Sequence, residues 1–508
     1  MANHSAPSSA FNIGQGYSCT LGPLQTAVHT QVLDTAGGNS EIAVSLCSEE
    51  DTLKQSLEIN IGRKIAVEGI GGYSEKFSLF QKLRFSEHSL CIVVKASVVS
   101  KSHYCQAAQL HDDIAAPATA AELDQFCKLY GDAYVSELVR GAQYFAVYAY
   151  RCKSREEKLE LKARIEASGI IENVTVSGKA GSNFSHAVTQ ISQNVELHQT
   201  VIGSSFTMSG EQDVIRTAYA FFEAANNLPT GTVGFKTTGY EHVFSHPGIE
   251  AALAALAHNR QLFNGSGAQE GLLAREARLI GIKERLANLE HTMRRYGCTL
   301  DSATQERQRQ IQADLDACNE LRNRFNQSPT TPLENPYLPA AAYGWPSIQY
   351  ETRQSKRLGG GGGQPYHDVT TTDFLDRGMR VSHIRLRGGA YVDLIEITYK
   401  DASGQTCKFT HGQEQGNQVE NIALGDADYI TEIAVPSSEG NIYIDYIRIK
   451  TNNFPQGVGV GGNDRNLEPI FSYDDRNQHI FVGLVGRCER WNDAVSALFL
   501  QIKGVSWM

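Results

Sequence analysis

The chain has 508 residues, more than a single hydrophobic core usually serves, so about two to four domains are expected. Hydrophobic residues make up 41% of the sequence and charged residues 20%, which is typical of globular proteins and not of disordered or fibrous ones. The net charge of -10 argues against nucleic acid as a partner, because binding phosphates requires a surplus of Lys and Arg.

The N-terminus and the cysteines indicate where the protein is made. Residues 1–7 contain no basic segment followed by an apolar one, so no secretory signal peptide is predicted. The apolar run Ala251–Ala257 is far shorter than the roughly 18 to 20 residues of a membrane-spanning helix. The ten cysteines show no C-x-x-C pair and no zinc spacing with histidine. We therefore expect a soluble cytosolic protein with free thiols and no metal, which reaches any target cell only after release.

Two segments of the N-terminal half combine glycines with aromatic residues. The first reads Ile13-Gly14-Gln-Gly16-Tyr17. The second contains Tyr130, Gly131 and Tyr134, and Gly141 follows after six residues. These segments resemble the opening and the signature of the membrane-attack-complex/perforin family. The resemblance implies that residues 1–262 form an α+β domain, with a bent antiparallel sheet and helical clusters that unwind into membrane-inserted β-hairpins.

An early pair of segments is a candidate for the first such hairpin. From Lys64 to Phe80, one face carries mainly apolar side chains and the other mainly polar ones. The return strand would run from Cys91 to Lys101. The apolar face of the first segment comprises Ile65, Val67, Tyr73, Phe77 and Leu79.

Residues 187–202 alternate between polar and apolar side chains, as a strand with two different faces does. All even positions from 190 to 200 are polar. The predicted strand exceeds the roughly 9 to 11 residues that a tilted strand needs to cross a bilayer. An ordinary half-buried antiparallel sheet alternates for the same reason and remains the alternative. Under the perforin resemblance, the candidate membrane-facing residues are Ile191, Val195, Leu197 and Val201.

Residues 263–327 predict a helical hairpin, because apolar side chains recur at heptad-compatible spacings on both sides of a turn near Gly297. Either the two helices dock on a neighbouring domain or they form an oligomerising coiled coil. The periodic positions are Leu272, Leu279, Ile282, Leu286, Leu289, Met293 and Tyr296 in the first helix, and Ile311, Leu315, Cys318 and Phe325 in the second.

Residues 328–357 are predicted to be a linker, because prolines recur through their first half. Residues 358–508 then read as an all-β domain, with short strands of β-branched and aromatic residues interrupted by Gly, Asp and Asn.

Five motifs in residues 358–508 occur in the order typical of jacalin-related lectins. They are the run Gly359–Gly363, Arg387-Gly-Gly-Ala-Tyr-Val-Asp393, His411-Gly412, Ile447-Arg-Ile-Lys-Thr-Asn452, and Gly486-Arg-Cys-Glu-Arg-Trp-Asn-Asp493. Together they resemble that family along the whole segment. The resemblance implies a β-prism I fold that binds carbohydrate, with mannose-type sugars as the first expectation.

The family's sugar site is formed by an early glycine and a late loop that ends in aspartate. The resemblance places Gly363 at the glycine and Asp493 at the carboxylate. Arg490 and Trp491 fall where the loop donates backbone amides to the sugar. A carboxylate can accept hydrogen bonds from two vicinal hydroxyls while N–H groups donate, so no metal or other cofactor is required. The Trp491 ring adds an apolar surface for sugar C–H groups.

No motif of an enzyme stands in a usable context, so no catalytic residue is predicted. We expect a pore-forming toxin or defence protein. Its lectin domain would bind cell-surface glycans, and its N-terminal domain would form homo-oligomers and insert into the target membrane. Avidity across many copies would strengthen weak sugar contacts. The alternative is a non-lytic glycan-binding protein whose N-terminal region only multimerises the lectin.

Overall fold

The structure is a computed structural model, and it forms two compact units. One comprises Met1–Gly281 and Gln310–Ala342, and the other comprises Ile282–Arg309 and Tyr343–Met508. The residues described are 12–35, 40–59, 76, 79–80, 82–83, 85, 89–152, 155–171, 184, 188–189, 195–208, 213–225, 227, 231–265, 271–334, 343–368, 374–375, 378–437, 442–473 and 479–507.

The first unit mixes helices and strands. Its strands are β1 (Gln15–Ser18), β2 (Gly22–Thr26), β3 (Val28–Thr35), β4 (Ser40–Cys47), β5 (Ser89–Leu110), β6 (Ala133–Arg151), β7 (Val195–Ile202) and β8 (Gly231–Gly239). Its helices are α1 (Glu50–Ser56), α2 (Ala120–Tyr130), α3 (Arg155–Ala167), α4 (Val214–Ala225) and α5 (Glu250–Asn264). None of the helices in the described residues combines the length and hydropathy that crossing a membrane requires.

Two long antiparallel strands form the centre of this unit. Strands β5 and β6 have 22 and 19 residues and pair from Ser89 opposite Arg151 to Tyr104 opposite Glu137. Strands β4 and β3 follow each other along the outer side of β5, and β7 and β8 do the same along β6. The sheet is therefore about four strands wide where the described residues show it.

Helical segments cover both faces of this sheet where β4 to β7 lie. Helices α3 and α4 pack with alternate residues of β5 and β6 on one face. Helix α1 packs on the opposite face, together with residues 79, 80 and 83. Because both faces are covered, alternating apolar residues of the central strands are buried on each side.

The structure differs from the single strand predicted for residues 187–202. Among the described residues of this segment, Val195–Ile202 form a strand and residues 188–189 are helical. The physical reason is burial: Val188 is fully buried, and its carbonyl accepts a hydrogen bond from the Tyr150 hydroxyl at 3.1 Å. Strand β7 retains Val195, Leu197 and Val201. Ile191 and most of the predicted first hairpin from Lys64 to Phe80 lie outside the described residues.

Two long helices, α6 (Leu272–Arg295) and α7 (Ser302–Gln327), occupy the predicted helical hairpin. The division into units falls within both helices, so the first turns of α6 and the last turns of α7 belong to the first unit. The predicted linker differs from the structure, because residues 346–354 form a strand and Thr330 donates two hydrogen bonds to Asp124. Composition alone missed these partners, since they lie far away in sequence.

The second unit contains three antiparallel sheets around one apolar core, which is a β-prism. Its strands are β9 (Pro346–Gln354), β10 (Leu358–Gly359), β11 (Gln364–His367), β12 (Arg380–Gly388), β13 (Val392–Lys400), β14 (Thr406–Gly412), β15 (Gln418–Ala423), β16 (Ile430–Pro436), β17 (Tyr446–Thr451), β18 (Val458–Gly461), β19 (Leu467–Ser472), β20 (Ile480–Cys488) and β21 (Asn492–Trp507). The sheet orders are β10-β21-β20-β11 with β9 paired to β21, β14-β13-β12-β15, and β18-β17-β16-β19.

Candidate functional site

Three equivalent backbone turns meet at one end of the prism. The carbonyls of Asp493, Asp393 and Asp445 each accept one hydrogen bond from a backbone N–H, at 2.7, 2.9 and 2.9 Å. Each carbonyl also abuts a glycine with positive φ, where a Cβ would collide with it. Only glycine adopts this conformation without strain, so these positions depend on the absence of a side chain. The donors are Gly360, Gln413 and Gly462, and the abutting glycines are Gly359, Gly412 and Gly461.

The first of these turns forms what we call the first cradle: Gly359, Gly363, Arg487 and Asp493. A Cβ on Gly363 would lie 2.5 Å from Oδ2 of Asp493, so bare backbone faces the carboxylate. The Arg487 guanidinium donates to the Gly363 carbonyl at 2.7 Å. This hydrogen bond fixes the glycine segment against the aspartate.

The Asp493 side chain is available to a ligand. Its carboxylate accepts no hydrogen bond from any residue that the structure describes. Burial, and after it the charge of Glu489, raise the pKa of Asp493 above its ordinary value. The backbone N–H groups of Arg490 and Trp491 also have no acceptor among the described residues. Acceptors and donors that have no partner in the described part of the chain thus occur within five residues of one another, as recognition of sugar hydroxyls requires.

A second, equivalent arrangement lies on the neighbouring sheet, and we call it the second cradle: Gly412, Gly416, Arg387 and Asp393. A Cβ on Gly416 would lie 2.5 Å from Oδ2 of Asp393, the same separation as in the first cradle. Arg387 donates to the Gly416 carbonyl at 3.2 Å, as Arg487 does to Gly363. Burial raises the pKa of Asp393 above its ordinary value, and the Trp491 side chain and the charges of Arg490 and Arg387 oppose this shift.

The third turn lacks two of the parts that define a cradle. Four residues after its glycine, where the other turns have Gly363 and Gly416, the sequence has Arg465. Six residues before Asp445, where the others have arginine, it has Glu439. The third position therefore does not reproduce the carboxylate facing bare backbone.

One aromatic residue from each turn packs at the centre of this end of the prism. The rings of Tyr391, Tyr443 and Trp491 contact each other in pairs, with centroids 4.7 to 5.8 Å apart. Each stands two residues before its aspartate. The three half-buried rings form an apolar surface between the two cradles.

A buried polar network lies beneath the first cradle. The His411 ring stacks on Tyr366 with centroids 3.7 Å apart, and its Nε2 lies 2.5 Å from Oδ1 of Asp368. The other carboxylate oxygen of Asp368 accepts from the Leu484 amide at 2.9 Å and the Tyr399 hydroxyl at 3.2 Å. Burial would lower the pKa of His411, but the hydrogen bonds with Asp368 and with Cys488 raise it to about 9.

Of the residues that the resemblance places in the site, Gly363 lies against the Asp493 carboxylate. The Trp491 ring instead contacts Tyr391 and Tyr443. The Arg490 side chain points elsewhere, because its Nε donates to Gln415 of the second cradle's loop at 3.1 Å. Sequence analysis did not assign Asp393 to a site. Its signal was the repeated spacing of Arg387, Tyr391 and Asp393, which matches that of Arg487, Trp491 and Asp493. No three potential metal-ligand side chains come together in the described parts of either unit.

The two glycine-aromatic segments of the first unit contact each other. Gly16 pairs with Tyr134, and Tyr17 forms a bridge with Gly131. A Cβ on Gly16 would collide with the Tyr130 carbonyl, and one on Gly131 with the Tyr17 carbonyl. These glycines therefore allow two backbones to approach closely.

Gly141 lies close to the ends of three outer pairings of the sheet, where Ser40 pairs with Val98, Ile202 with Gln143 and Gly231 with Gly141. It pairs with Val99 and Gly231, and a Cβ on it would collide with the Val98 carbonyl. The pairing register also shifts beside it, between Val99 and Lys101. Such irregularities interrupt the regular pairing of two strands and increase their local twist.

The family model of the jacalin-like lectin domain matches residues 355–498. Among solved structures, a lectin from Malaysian banana is 20% identical, with alignment over 30% of this chain and 100% of the banana chain and a TM-score of 0.25. A mannose-specific jacalin-related lectin from Morus nigra is 20% identical over 30% of this chain and 95% of its own, with a TM-score of 0.25. A mannose-binding jacalin-related lectin from Ananas comosus is 16% identical over 30% and 98%, with a TM-score of 0.24.

No curated protein sequence matches the chain significantly. The family match coincides with the three sheets of the prism and includes both cradles. Residues 355–498 are therefore a carbohydrate-binding jacalin-like lectin domain.

Proposed function

We propose that the first cradle binds one pyranose residue of a glycan. The observation that carries this proposal is the Asp493 carboxylate, which faces bare glycine backbone and accepts no hydrogen bond within the described structure. Its two oxygens accept from vicinal sugar hydroxyls, and the N–H groups of Arg490 and Trp491 donate to sugar oxygens. Because Gly363 has no side chain, the sugar ring can approach its backbone closely.

The second cradle is proposed to bind another sugar in the same way. Its support is the repeated geometry, because the position of Gly416 relative to Asp393 matches that of Gly363 relative to Asp493. The unused backbone N–H groups are those of Ala390 and Tyr391, neither of which donates to another described residue. Two sites on one domain raise avidity toward branched glycans or dense glycan surfaces.

Mannose-type sugars are the first ligands to test, as the family resemblance implies. A glycan array probed with the full chain would identify the preferred sugars. Isothermal titration with the chosen sugar should then give two sites in the natural chain and one in Asp493→Asn or Asp393→Asn. Asp445→Asn is the matched control, because the third turn lacks the other cradle parts. Full binding by the double variant Asp393→Asn/Asp493→Asn would overturn both assignments.

A second candidate function is membrane insertion by the first unit, in the manner of perforin-like proteins. One observation favours it. Ser89 pairs with Arg151, Cys47 with Cys91, and Val195 with Tyr150, so β4, β5, β6 and β7 all end on the same side of the sheet. The segments 48–88 and 152–194 both leave the sheet there. If each segment unwound into a hairpin, the four strands would lengthen into a curved membrane-inserted sheet.

Under this proposal, the lectin domain concentrates the protein on glycosylated membranes, and many copies insert together. The rival is a non-lytic protein whose first unit only multimerises the lectin. Liposomes carrying a mannose-terminated glycolipid and a self-quenched dye separate the two. Sugar-dependent dye release supports insertion, whereas agglutination without dye release supports the rival.

A further inference from the structure

The loop of residues 489–491 lies between the two cradles. It has a negative side chain, Glu489, near the first cradle and a positive side chain, Arg490, near the second. Glu489 directly follows Cys488, whose carbonyl lies against Gly363 of the first cradle, and burial and then the negative charge of Glu489 raise the pKa of Asp493. Arg490 donates from Nε to Gln415, which precedes Gly416 of the second cradle, and its charge acts on Asp393. The loop therefore gives the two cradles different electrostatic surroundings.

The rest of the two cradles is alike in charge. Each has one aspartate and one arginine, Arg487 or Arg387, on its glycine segment. Where the first cradle's loop has Glu489 and Arg490, the equivalent loop of the second cradle has Gly389 and Ala390, which are uncharged. The second cradle also has Glu414 and Arg385 beside it, but these two charges pair with each other. The unpaired difference in charge between the cradles therefore comes from this dipeptide.

Arg490 is positioned to bind an anion. Its guanidinium stacks on the Trp491 ring at 4.7 Å from the ring centroid, which fixes its plane. Its one hydrogen bond is the one from Nε to Gln415, and it has no carboxylate partner among the described residues. The terminal N–H groups remain for a ligand, and a planar guanidinium fits phosphate, sulfate or carboxylate oxygens in pairs.

The other charges near the second cradle are already matched. Glu414 pairs with Arg385 at 2.7 Å and lies 3.5 Å from Arg387. Arg387 also donates to the Gly416 carbonyl. Arg490 is therefore the cation at this site that has no carboxylate partner in the described structure.

Building on the proposed sugar binding, we propose that the second cradle selects saccharides with an anionic substituent, through Arg490, whereas the first cradle takes neutral saccharides and disfavours anionic ones. The substituent is a phosphate, sulfate or carboxylate placed beside the sugar ring that Asp393 holds. The two cradles then divide acidic and neutral glycans between them.

The test isolates each cradle in the full chain. Asp493→Asn leaves the second cradle, and Asp393→Asn leaves the first. The probes are methyl mannoside, mannose 6-phosphate, mannose 6-sulfate and mannuronate, so the three anionic groups are compared on one sugar. If the glycan array selects another neutral sugar, the same set is made on that sugar.

In the Asp493→Asn chain, we expect at least one anionic probe to bind about five- to tenfold more tightly than methyl mannoside at low salt. This advantage should shrink in about 0.5 M salt and disappear with Arg490→Gln added. In the Asp393→Asn chain, the anionic probes should bind more weakly than methyl mannoside, and Glu489→Gln should reduce the difference. Arg309→Gln, an exposed arginine on α7, is the charge control.

Equal affinity for neutral and anionic probes in the Asp493→Asn chain would overturn the division, as would an anionic preference that survives Arg490→Gln. If the natural chain bound none of the sugars, the proposed function itself would be refuted. The two failures are therefore distinguishable.

Discussion

His411 and Asp368 form a buried pair within the prism, with Nε2 of the imidazole 2.5 Å from a carboxylate oxygen. The two residues come from strand β14 and from the position directly after β11. They therefore join two of the three sheets. The pair lies beneath Cys488, the last residue of β20, and so supports the backbone of the first cradle.

The stability of the prism should depend on the charge of His411. Its pKa in the fold is about 9, above the ordinary value of 6.5, so the charged form favours the folded state. The stabilisation is complete below pH 6.5 and is lost as pH rises through about 9. A shift of this size corresponds to about 3 kcal/mol at most. Tryptophan fluorescence during urea unfolding measures it, because Trp345, Trp491 and Trp507 all lie in the second unit.

His411→Gln should lower the stability at pH 6.5 and flatten its pH dependence between pH 6.5 and 9.5. His367→Gln is the control, because His367 is exposed and directly precedes Asp368. If the free energy of unfolding depends on pH equally in the natural chain and in His411→Gln, the charge of His411 does not stabilise the prism.

Glycine at positions 363 and 416 should be required for sugar binding. A Cβ would lie 2.5 Å from the aspartate oxygen in each cradle, and φ is +61° and +75°. Alanine at either position should reduce affinity at its own cradle about tenfold or more, and destabilise the fold by about 1 to 2 kcal/mol. Titration with the array-selected sugar and urea unfolding measure the two effects.

The matched control for these variants is Gly361→Ala, because a Cβ at Gly361 meets no atom within 4 Å. It should leave both cradles intact. If Gly363→Ala binds as well as Gly361→Ala does, the close backbone approach is not needed.

A cluster of charges around Glu58 should hold the segment after β4 against the long sheet. Lys76, Lys95 and Gln143 donate to its carboxylate at 2.9, 2.6 and 2.8 Å. Burial would raise the pKa of Glu58, but the two lysines lower it to about 2. Its stabilisation is therefore present above pH 4.5 and is lost as the pH falls through about 2.

Glu58→Gln should destabilise the first unit at pH 7, because Lys76 is left buried without its carboxylate partner. We expect about 1 to 3 kcal/mol, less than for a fully buried pair, since Glu58 is 39% exposed. Hydrogen exchange in peptides from β5 and β6 measures the loss. Glu41→Gln, which removes a more exposed partner of Lys95, is expected to have little effect. Equal protection in both variants would contradict this role.

Leu197 provides a direct test of membrane insertion. Its side chain is 42% exposed, so Leu197→Lys should fold and bind sugar normally. In a lipid-facing strand, the lysine would cost about 2 to 4 kcal/mol near the middle of the bilayer. Dye release from glycolipid liposomes should therefore fall sharply. Glu196→Lys, on the opposite face of β7, is the control, and unchanged release by both variants would argue that β7 does not face lipid.

Much of the second unit was predictable from local sequence. Short strands separated by Gly, Asp and Asn predicted an all-β domain, and the motif order pointed to a jacalin-related lectin with Gly363 and Asp493 in its site. Periodic apolar residues predicted α6 and α7, and all but Leu289 are buried as expected. These features were readable because each depends on residues that are close in the chain.

Other features were decided only when distant segments came together. The helical turn at residues 188–189 replaced a predicted strand because Tyr150 and the surrounding core hold Val188. Strand β9 formed within the predicted linker because β21 supplied its pairing partner.

The sequence by itself determined the all-β character of the second unit and the helices α6 and α7, because strand alternation and helical periodicity act locally. Only the tertiary structure decided that Gly416 lies against Asp393 as Gly363 lies against Asp493, and that Arg490 reaches the second cradle. Asp393 and Gly416 are separated by two strands. Contacts of this kind arise from the closure of three sheets around one core, which no local pattern of residues records.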